Sequence, residues 1–259
     1  MNRAKPVGTY VYCVVAADRR PRLTRVPAGL PGAGPVRLLD VENGLFIAVA
    51  DLPLDRYSEP AINKGLGDLD WVSRIAIAHE KVVESFIASP AVLPMKLFTI
   101  FTTDNRALDH VRAQRARVAS LVRRVANHQE WGVRVVLDRT LAATFSKKKV
   151  ATGSRSGIAY LKQKKAQRDA STQLASHARD TVADLFDRLA ARAGDAKRRA
   201  ASELPVQGGP LLLDAAFLVP RARSATFKAL AARESKVLAR HGYGLTITGP
   251  WPPYTFVQD

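Results

Sequence analysis

Apolar periodicity lapses once at length in this chain, between Ala142 and Gly157, and that lapse constrains how everything else can fold. The stretch carries Lys147-Lys148-Lys149 and then Gly153-Ser154-Arg155-Ser156-Gly157, with small residues where a packed element would place large apolar ones. It reads as a linker over 142–157, with one domain over 1–141 and a second over 158–259. A length of 259 residues accommodates two modest domains.

The first half alternates strand and helix signals. Thr9 to Ala17, rich in Val and Tyr, predicts a strand. Pro21 to Pro35 reads as a loop, and its prolines exclude a phosphate-binding glycine loop despite Gly29, Gly32 and Gly34. Val36 to Val41 and Leu45 to Leu52 flank Asn43-Gly44, a strong hairpin signal. Asp68 is placed to cap a helix whose stripe is Leu69, Val72, Ile75, Val82 and Phe86, ending near Ala88. Val92 to Phe101 reads as one β run interrupted by Pro94. Asp104 is placed to cap a second helix carrying Leu108, Val111, Val118, Leu121, Val122 and Val125, and Trp131 to Leu137 closes the half as a strand. The order β, ββ, α, β, α, β predicts a modified ferredoxin-like α+β domain.

The second half predicts a helix-rich α+β domain. A long helical segment runs from about Ile158 to Ala201, with a seam of Leu174, Ala178, Val182, Leu185 and Leu189 and a break at Gly194. Leu211 to Val219 is a strand, Ala222 to His241 a helix and Leu245 to Thr248 a strand.

Charge narrows the partners. Lys plus Arg is 40 against 23 Asp plus Glu, a formal net charge of +17. Between Arg139 and Arg199 there are fifteen cations against five aspartates, so more than half of the excess lies in under a quarter of the chain. Such a stripe attracts polyanions or acidic protein surfaces, with Lys162, Lys164, Lys165 and Arg168 as its candidate contact residues; its plain alternative is a solvated helix face. The lone cysteine, Cys13, excludes an intramolecular disulfide framework. No run approaches the roughly 20 apolar residues of a membrane-spanning helix, and the short apolar Val11–Ala17 runs into Asp18-Arg19-Arg20 without a cleavage signal. The chain reads as a soluble cytoplasmic protein.

Catalytic chemistry is not indicated. His79, His110, His128, His177 and His241 form no metal-binding pattern, and no nucleophile elbow is present. His79 falls on or beside the apolar helix face and reads as a core or interface histidine. Cys13, inside a strand, reads as a small buried hydrophobe. Glu80 and Glu84 share a helix face with Lys81 nearby, which reads as solvated. No catalytic, metal or cofactor site is expected.

The least ordinary string is Gly249-Pro250-Trp251-Pro252-Pro253-Tyr254. Its prolines hold the chain extended. It reads as a terminal clasp with Trp251 buried against the second domain, the alternative being an aromatic surface facing a partner.

Four strings carry a resemblance that spans the chain: Tyr10-Val11-Tyr12; Trp71, Ala78-His79-Glu80 and Val92-Leu93-Pro94-Met95-Lys96; Glu130-Trp131-Gly132-Val133 with Gly157 and Tyr160-Leu161; and Thr248-Gly249-Pro250-Trp251-Pro252-Pro253-Tyr254-Thr255-Phe256. With these the chain resembles the GvpL/GvpF family of gas vesicle proteins. One departure is Leu97-Phe98-Thr99, where the family often has Phe-Gly-Thr. The resemblance implies a ferredoxin-like first domain and a helix-rich α+β second domain. It also implies a non-enzymatic accessory or minor structural protein, needed to build hollow gas-filled shells. Its implied partners are the small hydrophobic shell protein and other gas vesicle accessory proteins, at a location in the cytoplasm on the vesicles. A different class stays open, a basic nucleic-acid-binding protein using Arg139–Arg199. The absence of a known nucleic-acid signature, and of aromatics interleaved with the charges, disfavours it.

Overall fold

In the computed structural model, residues 6–24, 26–138, 165, 176–199 and 209–257 are described. Strand β1 (Val7–Ala16) runs through the middle of the first sheet, and every residue from Gly8 to Val15 is buried. It pairs antiparallel with β3 (Leu45–Pro53) on one side and with β4 (Ala91–Pro94) on the other. β2 (Arg37–Glu42) is hairpin-paired to β3, giving the order β2-β3-β1-β4, while the short β5 (Ile100–Phe101) pairs with the start of β1. This is the strand order of a ferredoxin-like sheet, with the first crossover helix replaced by the Pro- and Gly-rich loop. At the hairpin, Asn43 (φ 52°) and Gly44 (φ 74°) are both left-handed, as a two-residue primed turn demands.

A β-bulge between Val11 and Cys13 inverts the facing of β1. Tyr10 before it, Tyr12 at it, and Cys13 and Val15 after it all join one core with Phe46, Ala48, Ala50 and Leu52 of β3. Helix α1 (Glu59–Gly65) precedes α2 (Leu69–Ser85), which covers that face with Ile75, Val82 and Val83. Asp68 caps α2, its carboxylate accepting from the Asp70 and Trp71 amides. Ile47 and Val49 point the opposite way and are equally buried, so both faces of the sheet are covered. Helices α3 (Asp104–Ala113) and α4 (Arg115–Val125) contact β1, β2, β4 and β5 and bury Ala107, Val111, Val118 and Val125.

Two expected features of this half differ. The single helix after 104 is two, joined at Gln114 (φ −98°, ψ 17°), and Thr103 rather than Asp104 caps it. Asp104 is instead engaged by Arg37 at 2.7 Å and by the Thr9 hydroxyl at 2.8 Å. The expected run Val92–Phe101 divides into β4 and β5, because the segment between them crosses the line of β1 through Met95 N–H to Tyr12 O and Val11 N–H to Thr99 O.

Strand β6 (His128–Leu137) belongs to a second sheet, ordered β7-β8-β6-β9 with β7 (Asp195–Arg198), β8 (Leu211–Pro220) and β9 (Tyr243–Trp251). A helix over 176–190, α5, and α6 (Ser224–Ala239) pack on it through Val182, Leu185, Leu189, Phe227, Ala231 and Leu238. Residues 195–198 are therefore strand, where the long helix to Ala201 was expected, and Gly194 is the break. The last element is the short helix α7 (Tyr254–Val257).

Mixed helices and antiparallel pairing make this an α+β protein. Two compact units result: Met1–Gln129 with Trp251–Asp259, and Glu130–Pro250. This differs from the 1–141 and 158–259 division in two ways. β6 hydrogen-bonds into the second sheet, and the final residues return to the first unit. The 142–157 stretch lies outside the described residues.

Candidate functional site

Three of the four shared strings converge in the first unit. From β1, Tyr10 donates its hydroxyl to His79 Nδ1 of α2 at 2.8 Å and accepts the Phe98 amide at 3.4 Å. The His79 ring also hydrogen-bonds the Met95 backbone, so it ties α2 to the segment after β4. Tyr10, Tyr12 and His79 pack edge-on or tilted, with ring centroids 4.7–5.7 Å apart. Burial lowers the His79 pKa to about 4, so the ring is neutral at pH 7, and burial pushes the Tyr12 phenol up to about 12 and Tyr10 further. Tyr12 accepts the Leu30 amide at 3.0 Å, and a Cβ on Gly29 would collide with that hydroxyl, which requires glycine there. These groups have pKa values far from neutrality and satisfied hydrogen bonds. They position backbone rather than transfer protons.

The backbone they position is Pro94–Thr99, one wall of a groove of about 460 Å³. Leu93, Met95, Phe98 and Phe101 line this side, Val118 and Leu121 of α4 line the other, and Val257 of α7 closes an end. Lys96, His110 and Arg117 stand exposed on its rim. Phe98 has a φ of 64°, the left-handed region that glycine occupies without penalty, which explains the family's glycine at this position. Its ring lies stacked on Trp71 at 5.7 Å and 9°, which offsets the backbone strain.

The fourth string completes the same unit. Pro252, Pro253, Phe256 and Val257 are buried, Tyr254 packs against the β1–α2 core, and Arg124 lies 5.8 Å over the Phe256 ring. The expected clasp, Trp251 buried against the second domain, is not what forms: Trp251 is 39% exposed, and the segment after it packs into the first unit through Phe256. The Glu130–Val133 string lies in the second unit, where Trp131 donates to Ser224 Oγ at 3.3 Å and packs on Phe227.

The basic stripe is only partly a surface. Arg188 pairs with Glu234 at 3.0 Å, Arg199 with Asp214 at 2.7 Å and with Glu130 at 3.9 Å, and Arg198 stacks on Phe186 at 4.5 Å. Of the four candidate contact residues, Lys165 is helical and exposed; Lys162, Lys164 and Arg168 lie outside the described residues. Cys13 is fully buried and its thiol pKa is raised by desolvation, the state of an inert thiol. Among the described residues no group of His, Cys, Asp and Glu is arranged to hold a metal ion, and no helix is long and apolar enough to cross a membrane.

Comparison with known proteins agrees with this arrangement. Residues 8–258 match the family described as gas vesicle synthesis protein GvpL/GvpF. Gas vesicle protein L of Streptomyces sp. is 30% identical over 95% of this chain and 91% of its own length, and gas vesicle protein F of the same strain is 29% identical over 97% and 100%. The crystal structure of GvpF from Anabaena sp. superposes with a TM-score of 0.70 at 16% identity, covering 98% of this chain and 97% of that one, which shows a shared fold. With its strings placed in the core and groove of that fold, the chain belongs to the GvpL/GvpF family of gas vesicle proteins.

Proposed function

We propose that this protein is a non-enzymatic gas vesicle accessory or minor structural protein that binds the shell protein and supports vesicle assembly. The observation that carries the reading is convergence. The Leu93–Lys96 string supplies one wall of an apolar groove, the β1 and α2 strings hold that wall through Tyr10 and His79, and the last string runs into Val257 at the groove's end. An apolar groove with a cationic rim suits a small hydrophobic protein with acidic flanks. In this reading the protein acts in the cytoplasm, on or beside the growing vesicle. Residues 142–157 serve as a linker, and Lys162, Lys164, Lys165 and Arg168 meet acidic surfaces of other accessory proteins.

The experiment is complementation. A vesicle-forming host deleted for its own member of the family, with no paralogue, should regain vesicles with the wild type. It should not regain them with Met95→Glu/Leu121→Glu, which places carboxylates in the groove at half-buried positions. Normal vesicle numbers in the deletion, or with a folded double variant, would contradict the reading.

A further inference from the structure

The outward face of α6 is unusual for a solvent-facing helix. Its exposed positions are Ala225, Thr226, Lys228, Ala229, Ala232, Arg233, Lys236, Val237 and Ala239, without one acidic residue. The helix's only carboxylate, Glu234, is buried and held by Arg188. Among the described residues Arg134, Arg188 and Arg199 of this unit form ion pairs, whereas Arg192, Arg223, Arg233, Lys236 and Arg240 make none.

Three openings lie along that face. One of about 290 Å³ sits over Thr226 and Phe227 between Arg192 and Arg223. The next, about 300 Å³, is framed by Thr226, Ala229, Leu230 and Arg233 with Arg192 beside it. The third, about 500 Å³, spans Ala229, Ala232, Arg233, Lys236, Val237 and Arg240. Neighbouring openings share side chains, so they form one trough from Arg223 to Arg240, about 25 Å long at the helical rise. Thr226, Ala229, Leu230 and Arg233 stand at i, i+3, i+4 and i+7, and so do Arg233, Lys236, Val237 and Arg240. Four residues at that spacing make the hole that accepts one knob from a facing helix. Here Ala229 and Ala232 leave the holes unfilled by the helix's own side chains and let a partner backbone come close.

We infer that this trough docks an acidic amphipathic helix of a partner protein. Apolar side chains of that helix enter the holes, and carboxylates beside them reach the flanking cations. A second copy of the chain presents the same unpaired cations and is repelled. Nucleic acid gains nothing from a floor of Ala, Leu and 45%-exposed Val237. This surface is built from different residues than the groove of the first unit, so its test stands apart from the proposed function.

The test uses the full chain and a fluorescent 21-residue peptide designed with Leu at a and d and Glu at e and g. A scrambled peptide of the same composition and a 20-base-pair DNA duplex are the competitors. The expected result is saturable binding, at least tenfold tighter than the scramble, that weakens as salt rises. Arg233→Glu/Lys236→Glu/Arg240→Glu should reduce affinity at least tenfold. Ala229→Arg should do the same even though it adds positive charge, because it fills two of the openings; circular dichroism verifies that both variants remain folded. Binding unchanged by Ala229→Arg, equal affinity for the scramble, or displacement by the duplex at lower concentration would each overturn the inference.

Discussion

Acidification should weaken the first unit through one residue, His79. Its ring is 4% exposed, accepts the Tyr10 hydroxyl and bonds the Met95 backbone, and desolvation lowers its pKa from an unfolded value near 6.5 to about 4. The depressed folded pKa fixes the sign: the unfolded chain binds the proton first, so the stability held above pH 6.5 is lost as pH falls toward 4. Linkage gives a loss of about 2 kcal/mol between pH 7.5 and 5.0, and about 3 kcal/mol once pH is well below 4. Protonation also converts Nδ1 from acceptor to donor, facing the Tyr10 hydroxyl, and so loosens the Pro94–Thr99 wall. Urea midpoints for α2 peptides, measured by hydrogen-exchange pulses at one fixed pH after equilibration at pH 7.5, 6.5 and 5.0, isolate this unit. The wild type should lose the 2 kcal/mol and His79→Gln should not, whatever its own starting stability. Carboxylates such as Glu84 titrate alike in both proteins and cancel. Parallel losses in the two, or a flat wild type, would refute a neutral, buried His79.

Phe98→Gly should change stability by less than about 1 kcal/mol, because relief of left-handed strain offsets the lost Trp71 stack, whereas Phe98→Val keeps the strain, loses the stack and should cost about 2 kcal/mol or more. Chemical denaturation of the two variants checks the order. Phe256→Ala should destabilise the first unit by about 3–5 kcal/mol, as removal of a fully buried ring does, and Trp251→Ala by only about 1 kcal/mol. Arg199→Ala removes the 2.7 Å partner of the buried Asp214 carboxylate together with the 3.9 Å contact to Glu130 and should cost the second unit about 3 kcal/mol, read as a lowered thermal midpoint.

The features legible in the sequence were those fixed by local chemistry. Asn43-Gly44 can turn a hairpin in few ways, and Asp68 before an apolar stripe caps a helix wherever it occurs. What escaped was settled by distant partners. No residue at Val11-Tyr12-Cys13 announces a bulge, yet it decides that Tyr10, Tyr12, Cys13 and Val15 share a face. Asp104 has the right residue type for a cap, but Arg37, far back in the chain, claims its carboxylate. β6 follows the first domain in sequence and pairs in the second sheet, since strand pairing is chosen by edges rather than by order. The groove was invisible for the same reason: Leu93, Leu121 and Val257 meet only after the fold has closed. Only the missing glycine at Phe98 left a trace, and the structure gives it a positive φ.

The most direct test of the account is the affinity of the purified protein for purified gas vesicle shell protein, measured with wild type and Met95→Glu/Leu121→Glu side by side. The account predicts saturable binding by the wild type and a loss of at least tenfold in a double variant whose circular dichroism is unchanged. Equal binding by the two, or none by the wild type, would contradict it.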